Sequence, residues 1–533
     1  MSRLTRILAL VAAMAACRAA AEPSLVYLEH SETLRFDEER LPGCQILNGD
    51  VRMRHDSALM FCDSAFFYDK DNVIQAFGHI RMEQGDTLFV YGDRLYYDGN
   101  VRLARLRGNV RMESPSMTLY TDSLNYDREE EVGYYFRWGR IVDSTNTLTS
   151  VNGWFYTRSD EAVFQREVTL VNPSFTLRSD TLHYNTDSRV ATIVGPSTID
   201  YDSTRIYSEA GWYNTLTERS MLHRNSRVSD TEGRSMTGDT LYYRRAERVA
   251  EGFSNVCLRD SAQQLQVQGD YGIYYEEQKR GLVNKRATMV EFSSEDSLFL
   301  AADTLFYAAF DSTTTLRANY HAQVWRVDLQ GLCDSAFYST ADSTLRLHGY
   351  PIVWNENNQI TAERIEVLTA NGSVKEAVAD GDAFVLRAEA DSAFNQISGK
   401  KINGYVEDGH LRKLFVNGNA VSVYYAAEDD STRSYADTSA YIGINRTESS
   451  ELTIYLNDDK TVRRIVMTPA SSGVMYTPDR LDDFSVSRLK GFMDYNALRP
   501  KDKEDIYTPK DRDAFIQSQR KDAAPEKRRR RRG

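Results

Sequence analysis

The sequence predicts an all-β fold, a solenoid of stacked bent hairpins with about 30 residues per repeat. Three observations carry this. Apolar residues alternate with polar ones along segment after segment, the period of a half-buried strand. One short motif returns at nearly constant spacing from residue 43 to about 425. The composition also suits strands: 32 Tyr stand against 5 Trp and only 11 Pro, and no long Ala/Leu/Glu/Lys stretch follows the first two dozen residues.

The recurring motif is a small residue, Asp, a polar residue, Leu, any residue, Tyr. It reads Gly92-Asp93-Arg94-Leu95-Tyr96-Tyr97, Thr121-Asp122-Ser123-Leu124-Asn125-Tyr126 and Ser179-Asp180-Thr181-Leu182-His183-Tyr184. It returns as Gly238-Asp239-Thr240-Leu241-Tyr242-Tyr243, Ala302-Asp303-Thr304-Leu305-Phe306-Tyr307 and Cys333-Asp334-Ser335-Ala336-Phe337-Tyr338, with weaker copies at Asp63, Asn152, Glu209, Asp270 and Glu363. A second element, Gly–polar–aliphatic–any–apolar, precedes these copies: Gly49 to Met53, Gly78 to Met82, Gly108 to Met112. The inward set shifts by one residue at the Asp, which is what a bulge or corner does to a strand. We therefore assign Asp63, Asp93, Asp122, Asp180, Asp239, Asp303 and Asp334 to structural corners, where a carboxylate is expected to accept from freed backbone N–H groups. Each repeat becomes a bent hairpin contributing to two facing sheets, and Asp98-Gly99 supplies a tight turn signal. The seam between the sheets is expected to be lined by Val51, Met53, Ile80, Met82, Leu95, Tyr97, Val110, Met112, Leu124, Tyr126, Leu182, Tyr184, Leu241, Tyr243, Leu305 and Tyr307. These side chains either form an open apolar groove or pack on one another as a closed core; the pattern fits both.

Residues 1–21 read as a signal peptide: Arg3 and Arg6, the apolar run Ile7 to Ala16, and Ala19-Ala20-Ala21 before a cut at Glu22. A rival reading lipidates Cys17, although Met14 fits a lipobox poorly. An exported protein can oxidise its thiols, and of Cys44, Cys62, Cys257 and Cys333 only Cys44 with Cys62 is considered for a disulfide; the alternative is small buried thiols. A net charge of −12 argues against a nucleic-acid surface over the body of the chain. The run Lys527 to Arg532 is either a solvated disordered end or an attraction for anionic lipid.

No catalytic constellation emerges. The 8 His are scattered, and neither a His-Glu-x-x-His helix, a Gly-x-Ser-x-Gly elbow nor a phosphate-cradling glycine loop is present. Asp69-Lys70-Asp71-Asn72 and Asp380-Gly381-Asp382 lack the other ligands of a calcium loop and read as turns. The expectation is a protein that is no enzyme and needs no metal or cofactor.

The Gly-Asn-Val element followed by small-Asp-x-Leu-x-Tyr, in tandem over residues 43 to 425, resembles the repeat of the LptA/OstA organic-solvent-tolerance family. The resemblance implies an elongated open β-jellyroll, or β-taco, whose inward residues hold the acyl chains of lipopolysaccharide. It also implies a periplasmic place between inner-membrane and outer-membrane transport components. A stacked array leaves an unpaired strand at each end, so pairing with these partners is expected near Ile46 to Met53 and near Val421 to Tyr425, unless the extra region beyond the array caps the second edge. The array is longer than one compact family domain. It is followed by a β-containing extension over 426–497 and a tail over 498–533, rich in Pro, Lys and Asp, expected to be disordered. The alternative from a different class is a structural β-solenoid, adhesin or spacer, with a closed core.

Overall fold

The computed structural model describes residues 24–529 except 293–296, 311–312, 371–372, 390–392, 428–440, 459–460 and 482, with the backbone alone over 521–529. The expected leader with Cys17, and Arg530 to Arg532 of the basic run, lie outside the described residues. Strand accounts for 70% and helix for 5%, and every helical turn among the described residues lies at or beyond Pro478. The chain divides into two compact units, residues 1–228 with 242–246, and residues 229–241 with 247–533.

In the first unit, strands Gln45–His55, Ala58–Tyr68, Val73–Gln84, Leu88–Asp98, Leu103–Glu113 and Thr118–Asp127 pair antiparallel in chain order. Each ladder loses register once, at Asn48/Val51, Phe61/Ser64, Phe77/Ile80, Tyr91/Arg94 and Arg107/Val110. These breaks are the corners that the shift of alternation predicts. At every second strand two successive residues turn left-handed, as at Gly78 (φ 74) with His79 (φ 44) and Gly108 (φ 78) with Asn109 (φ 46). Glycine adopts this φ without strain and, at Gly78, lets the Asp63 carboxylate approach to where a Cβ would be, although Arg166, Arg224 and Tyr320 hold the same position in other repeats. Once past the corner, the residues facing inward change parity, so one strand serves both half-sheets.

The N-terminal edge differs from expectation. Tyr27–His30 and Thr33–Phe36 pair with the two halves of Gln45–His55, so Ile46 to Met53 is an interior strand and the edge is the split strand before it. That strand carries a weak copy of the motif, Ser31-Glu32-Thr33-Leu34-Arg35-Phe36, with Glu32 at the bend beside Gly49 as Asp63 is beside Gly78.

In the second unit the ladder continues past residue 425. Val421, Val423 and Tyr425 face Glu448, Arg446 and Ile444 of Tyr441–Leu456, and that strand is covered in turn by Val462–Thr468 and Ser472–Tyr476. The segment from 478 onward, expected to be disordered beyond 498, has short turns at Asn496–Leu498 and Asp505–Tyr507 and a helix over Arg512–Arg529. It lies as a strap on the outer face of the half-sheet containing Leu332, Ile352, Trp354, Phe384, Leu386, Phe394 and Val423. Val486 and Leu489 complete one apolar cluster there, and Tyr495 and Leu498 pack on Leu332, Ile352 and Trp354. Four buried glutamines hold its backbone and one side chain. Gln396 donates to Ser487 O and accepts from Leu489 N, both at 2.8 Å; Gln359 bonds Met493 O (2.8 Å) and Tyr495 N (2.7 Å). Gln330 accepts from Arg499 at 2.7 Å, and Gln323 donates to Thr508 O at 2.8 Å. The strap is ordered because burying that apolar face, and satisfying those amides, outweighs its polar composition.

Candidate functional site

All sixteen predicted seam residues are buried, none more than 6% exposed. They do not share one chemistry. The motif tyrosines have a polar end that the period-2 pattern does not reveal. The hydroxyls of Tyr97, Tyr184, Tyr213 and Tyr307 bond groups elsewhere in the chain, whereas those of Tyr126 and Tyr274 are buried without a hydrogen-bond partner among the described residues. Arg128 donates to the Tyr97 hydroxyl at 2.8 Å, and that hydroxyl lies 2.5 Å from Nδ1 of His55, whose Nε2 is 2.9 Å from Ser24 O. Nε2 faces a carbonyl and must donate, so in the neutral ring Nδ1 accepts from the Tyr97 hydroxyl and His55 is the Nε2–H tautomer. Burial holds the imidazole below its ordinary pKa, and the charges of Arg128 and Arg102 add to this. Tyr184 donates to Asp143 (3.1 Å), which also pairs with Arg189 at 2.6 Å. Tyr201 donates to Tyr213 at 2.8 Å, and in the second unit Tyr307 donates to Asp260 at 2.6 Å. A buried hydroxyl without such a partner would cost about 1–3 kcal/mol, so these pairs act as latches along the side where the half-sheets meet.

The corner aspartates also depart from expectation. Their carboxylates accept no backbone N–H; several hold a side chain on the next bend. His79 lies 2.7 Å from Asp63, Asn109 donates to Asp93 (2.8 Å), Asn255 to Asp239 (2.8 Å), and His321 lies 2.9 Å from Asp303. Asp180 meets only the neighbouring Thr181 hydroxyl, at 3.4 Å. The left-handed residue pairs turn the chain at these bends, so the freed N–H groups do not fall to the Asp. Cys44 and Cys62 are free, buried thiols, and burial with Asp63 beside it pushes Cys62 up to about 12. Among the described residues no group of His, Cys, Asp and Glu could hold a metal ion.

The interior opens in the second unit. A cavity of about 380 Å³ lies between the half-sheets there, lined by Val353, Ile360 and Val385 on one side and by Ile365, Val367, Ala377, Ala379, Ile402, Gly404 and Leu414 on the other. The repeat explains it. The weak motif copy Ala362-Glu363-Arg364-Ile365-Glu366-Val367 ends in Val, and the next, Gly399-Lys400-Lys401-Ile402-Asn403-Gly404, ends in Gly. Where most other repeats place an aromatic ring, several of them latched, these place a short side chain and no latch; Gly404 faces Ala377 across the strand pair. Two missing rings leave a hole and an unlatched mouth together. At that mouth stand Arg326, Asp328, Asn355 and Asn358, with Arg326 and Asp328 paired at 2.6 Å. An apolar chamber with a few polar groups at its rim, in the range of about 300–1,000 Å³ typical of ligand sites, can shield a hydrocarbon chain while its polar end meets water. Sequence reading placed the lipid path on motif-perfect repeats and missed these residues; the loss of the final Tyr was the available signal.

Residues 23–180 match the family model described as OstA-like protein. A solved structure, LptH of Pseudomonas aeruginosa, described as the LptA-homologous periplasmic component of the conserved lipopolysaccharide transport device, is 13% identical. The match covers 28% of this chain and 94% of that one, with a TM-score of 0.21. No curated protein matches.

Proposed function

We infer that this chain, a member of the OstA-like family by the match over residues 23–180, is a periplasmic lipopolysaccharide-binding bridge that carries the lipid from inner to outer membrane during outer-membrane assembly. It acts by shielding acyl chains, without bond chemistry. The observation that carries this reading is the unlatched apolar cavity at Val367 and Gly404. Burying a twelve-carbon chain at about 0.8 kcal/mol per methylene is worth roughly 10 kcal/mol, which is the scale needed to hold such a chain in water. Its neighbours in the path join by strand pairing at the two terminal edges, residues 27–36 and 462–476, and the leader over residues 1–21 directs export. The tightly packed interior of the first unit, where Tyr97, Tyr126 and Leu106 are fully buried, favours a second reading for that stretch as a spacer with a closed core.

Gly404→Tyr tests the lipid reading. A Cβ at Gly404 meets only Leu411 closely, at 3.2 Å, so the ring enters the cavity rather than the backbone. The expected outcome is loss of binding of a fluorescent twelve-carbon acyl probe and of lipopolysaccharide, with the melting temperature held or raised. Unchanged binding of both would remove the cavity from the path.

A further inference from the structure

The outer face of the first unit carries a ladder that the function above does not use. Arg52, Phe61, Arg81, Tyr91, Arg111, Tyr120 and Arg140 are direct cross-strand neighbours in that order over seven strands, cation alternating with ring. The guanidinium carbons of Arg81, Arg111 and Arg140 lie 4.9, 4.4 and 4.8 Å from the centroids of Phe61, Tyr91 and Tyr120. Over most of its length the ladder is self-contained: Arg52 pairs with Asp50 (2.6 Å), Arg81 with Glu83, and Arg111 with Glu113 (3.1 Å). There the stack stiffens the sheet and nothing more is needed.

The pattern changes at its last rung. Arg140 has no carboxylate at ion-pair distance among the described residues, and neither do Arg137, Arg105, Arg107 and Arg94 around the same corner. Arg107 is pulled below its ordinary pKa by burial, and then by the charges of Arg105 and Arg137. The corner itself departs from the repeat. Where others have Asn or His bonded to the preceding Asp, this one has Trp138 at φ 60, and Asp122 is left without a side-chain partner. Trp138 is 52% exposed and Phe136 47%. An open recess of about 590 Å³ is lined by Tyr91, Arg111, Tyr120, Arg137, Trp138 and Arg140, with Asp122 as its one acid. In a chain of net charge −12, an excess of unpaired arginine beside two bare aromatic rings is not explained by packing or by solubility.

We propose that the Phe136–Arg140 corner binds an anionic saccharide, a sugar chain bearing phosphate or carboxylate groups. An exposed indole offers a flat apolar face to the C–H face of a pyranose ring, and guanidinium forks match phosphate and carboxylate geometry. The spacing of the ladder sets the arrangement: Arg140 is fixed by its stack on Tyr120, and Arg137 stands on the other side of Trp138 in the chain. A sugar on Trp138 therefore has a cation on either flank. This site is on the outer face and does not depend on the interior cavity.

Calorimetric titration of the full chain tests it, with the phosphorylated oligosaccharide released from lipopolysaccharide after removal of its acyl chains as probe. The same oligosaccharide after dephosphorylation, and inorganic phosphate, are the comparisons. We expect the phosphorylated sugar to bind, both comparisons to bind far more weakly, and Trp138→Ala and Arg137→Gln each to weaken binding by about tenfold, as for exposed Trp and Arg anchors. Trp138 packs little, so its replacement leaves the fold intact; Arg140→Lys, which keeps the charge and loses the fork, should weaken binding less than Arg140→Gln. Gly404→Tyr should leave this titration unchanged, which separates its failure from that of the lipid reading. Full binding by Trp138→Ala, or inorganic phosphate binding as well as the sugar, would reduce the patch to plain charge and overturn the proposal; so would no binding at all.

Discussion

A tyrosine at the end of the motif has two consequences, and only one is visible in a hydrophobic pattern. Its ring fills the space between half-sheets, as period 2 predicts. In several repeats its hydroxyl also bonds a group on a turn far along the chain, as with His55 and Tyr97 (42 apart) or Asp143 and Tyr184 (41 apart). No local signal announces that pairing, so the seam residues were legible as inward and illegible as latches. The His55 latch gives a pH prediction. Its folded pKa is lowered from the ordinary value of 6.5, so the unfolded state binds a proton first as pH falls. Stability therefore declines below about pH 6.5 and flattens once the folded imidazole protonates. Arg102, Arg128 and Asp56 face this ring. Hydrogen exchange at the turn ends around residues 55 and 97 should quicken between pH 7.5 and 5.5, and His55→Gln should abolish the pH dependence; an unchanged profile in the variant would place the titration elsewhere. The corner acids behave differently. Asp93 is exposed and holds one Asn109 side chain, so Asp93→Ala should cost less than about 1 kcal/mol. Chemical denaturation that showed a loss of several kcal/mol would restore a buried backbone role.

Two kinds of strand segment can be told apart by reading both faces. Val51-Arg52-Met53 alternates, and its outer face meets water or the arginine ladder. Ile352-Val353-Trp354 and Phe384-Val385-Leu386 are apolar at every position, the mark of a strand covered on both sides. Val353 and Val385 turn to the cavity and their neighbours to the strap. That run was the sequence's sign of a second layer. The strap's own composition hid it, because Pro, Lys and Asp dominate while single apolar anchors and borrowed glutamines do the holding. Gln396 is the test at this scale. It is fully buried and bonds the strap backbone twice; Gln396→Leu leaves Leu489 N without a partner and Ser487 O with only the 3.5 Å contact from Arg488, at about 1–3 kcal/mol for a buried unpaired group. Amides over 484–499 should lose protection while those of the ladder strands on either side keep theirs. Protection lost equally in both would mean that the strap and the half-sheet form one cooperative unit.

Repetition made the architecture readable at the scale of the whole molecule, since the same bend recurs at nearly fixed spacing whether or not any one copy is complete. The ends were harder to read, because terminal elements lack a neighbour on one side and carry a weak copy of the motif, as at Ser31 to Phe36, or none. At the C-terminal end the ladder closes on two short strands, Val462–Thr468 and Ser472–Tyr476, each paired on one side with Tyr441–Leu456. Their outer N–H and C=O groups are unpaired among the described residues, and Val462, Ile465, Val474 and Met475 are 43–53% exposed. An edge that combines free backbone with apolar side chains is a template for another strand, and proteins that keep such an edge unguarded use it. A charge placed there should disfavour pairing without disturbing the interior. Ile465→Lys and Met475→Lys together should therefore leave the melting transition within about 0.5 kcal/mol of the parent and abolish concentration-dependent self-association in light scattering. They should also abolish crosslinks from this edge to any neighbouring component in the envelope. If association and crosslinks persist in the double variant, chains meet through some surface other than this edge.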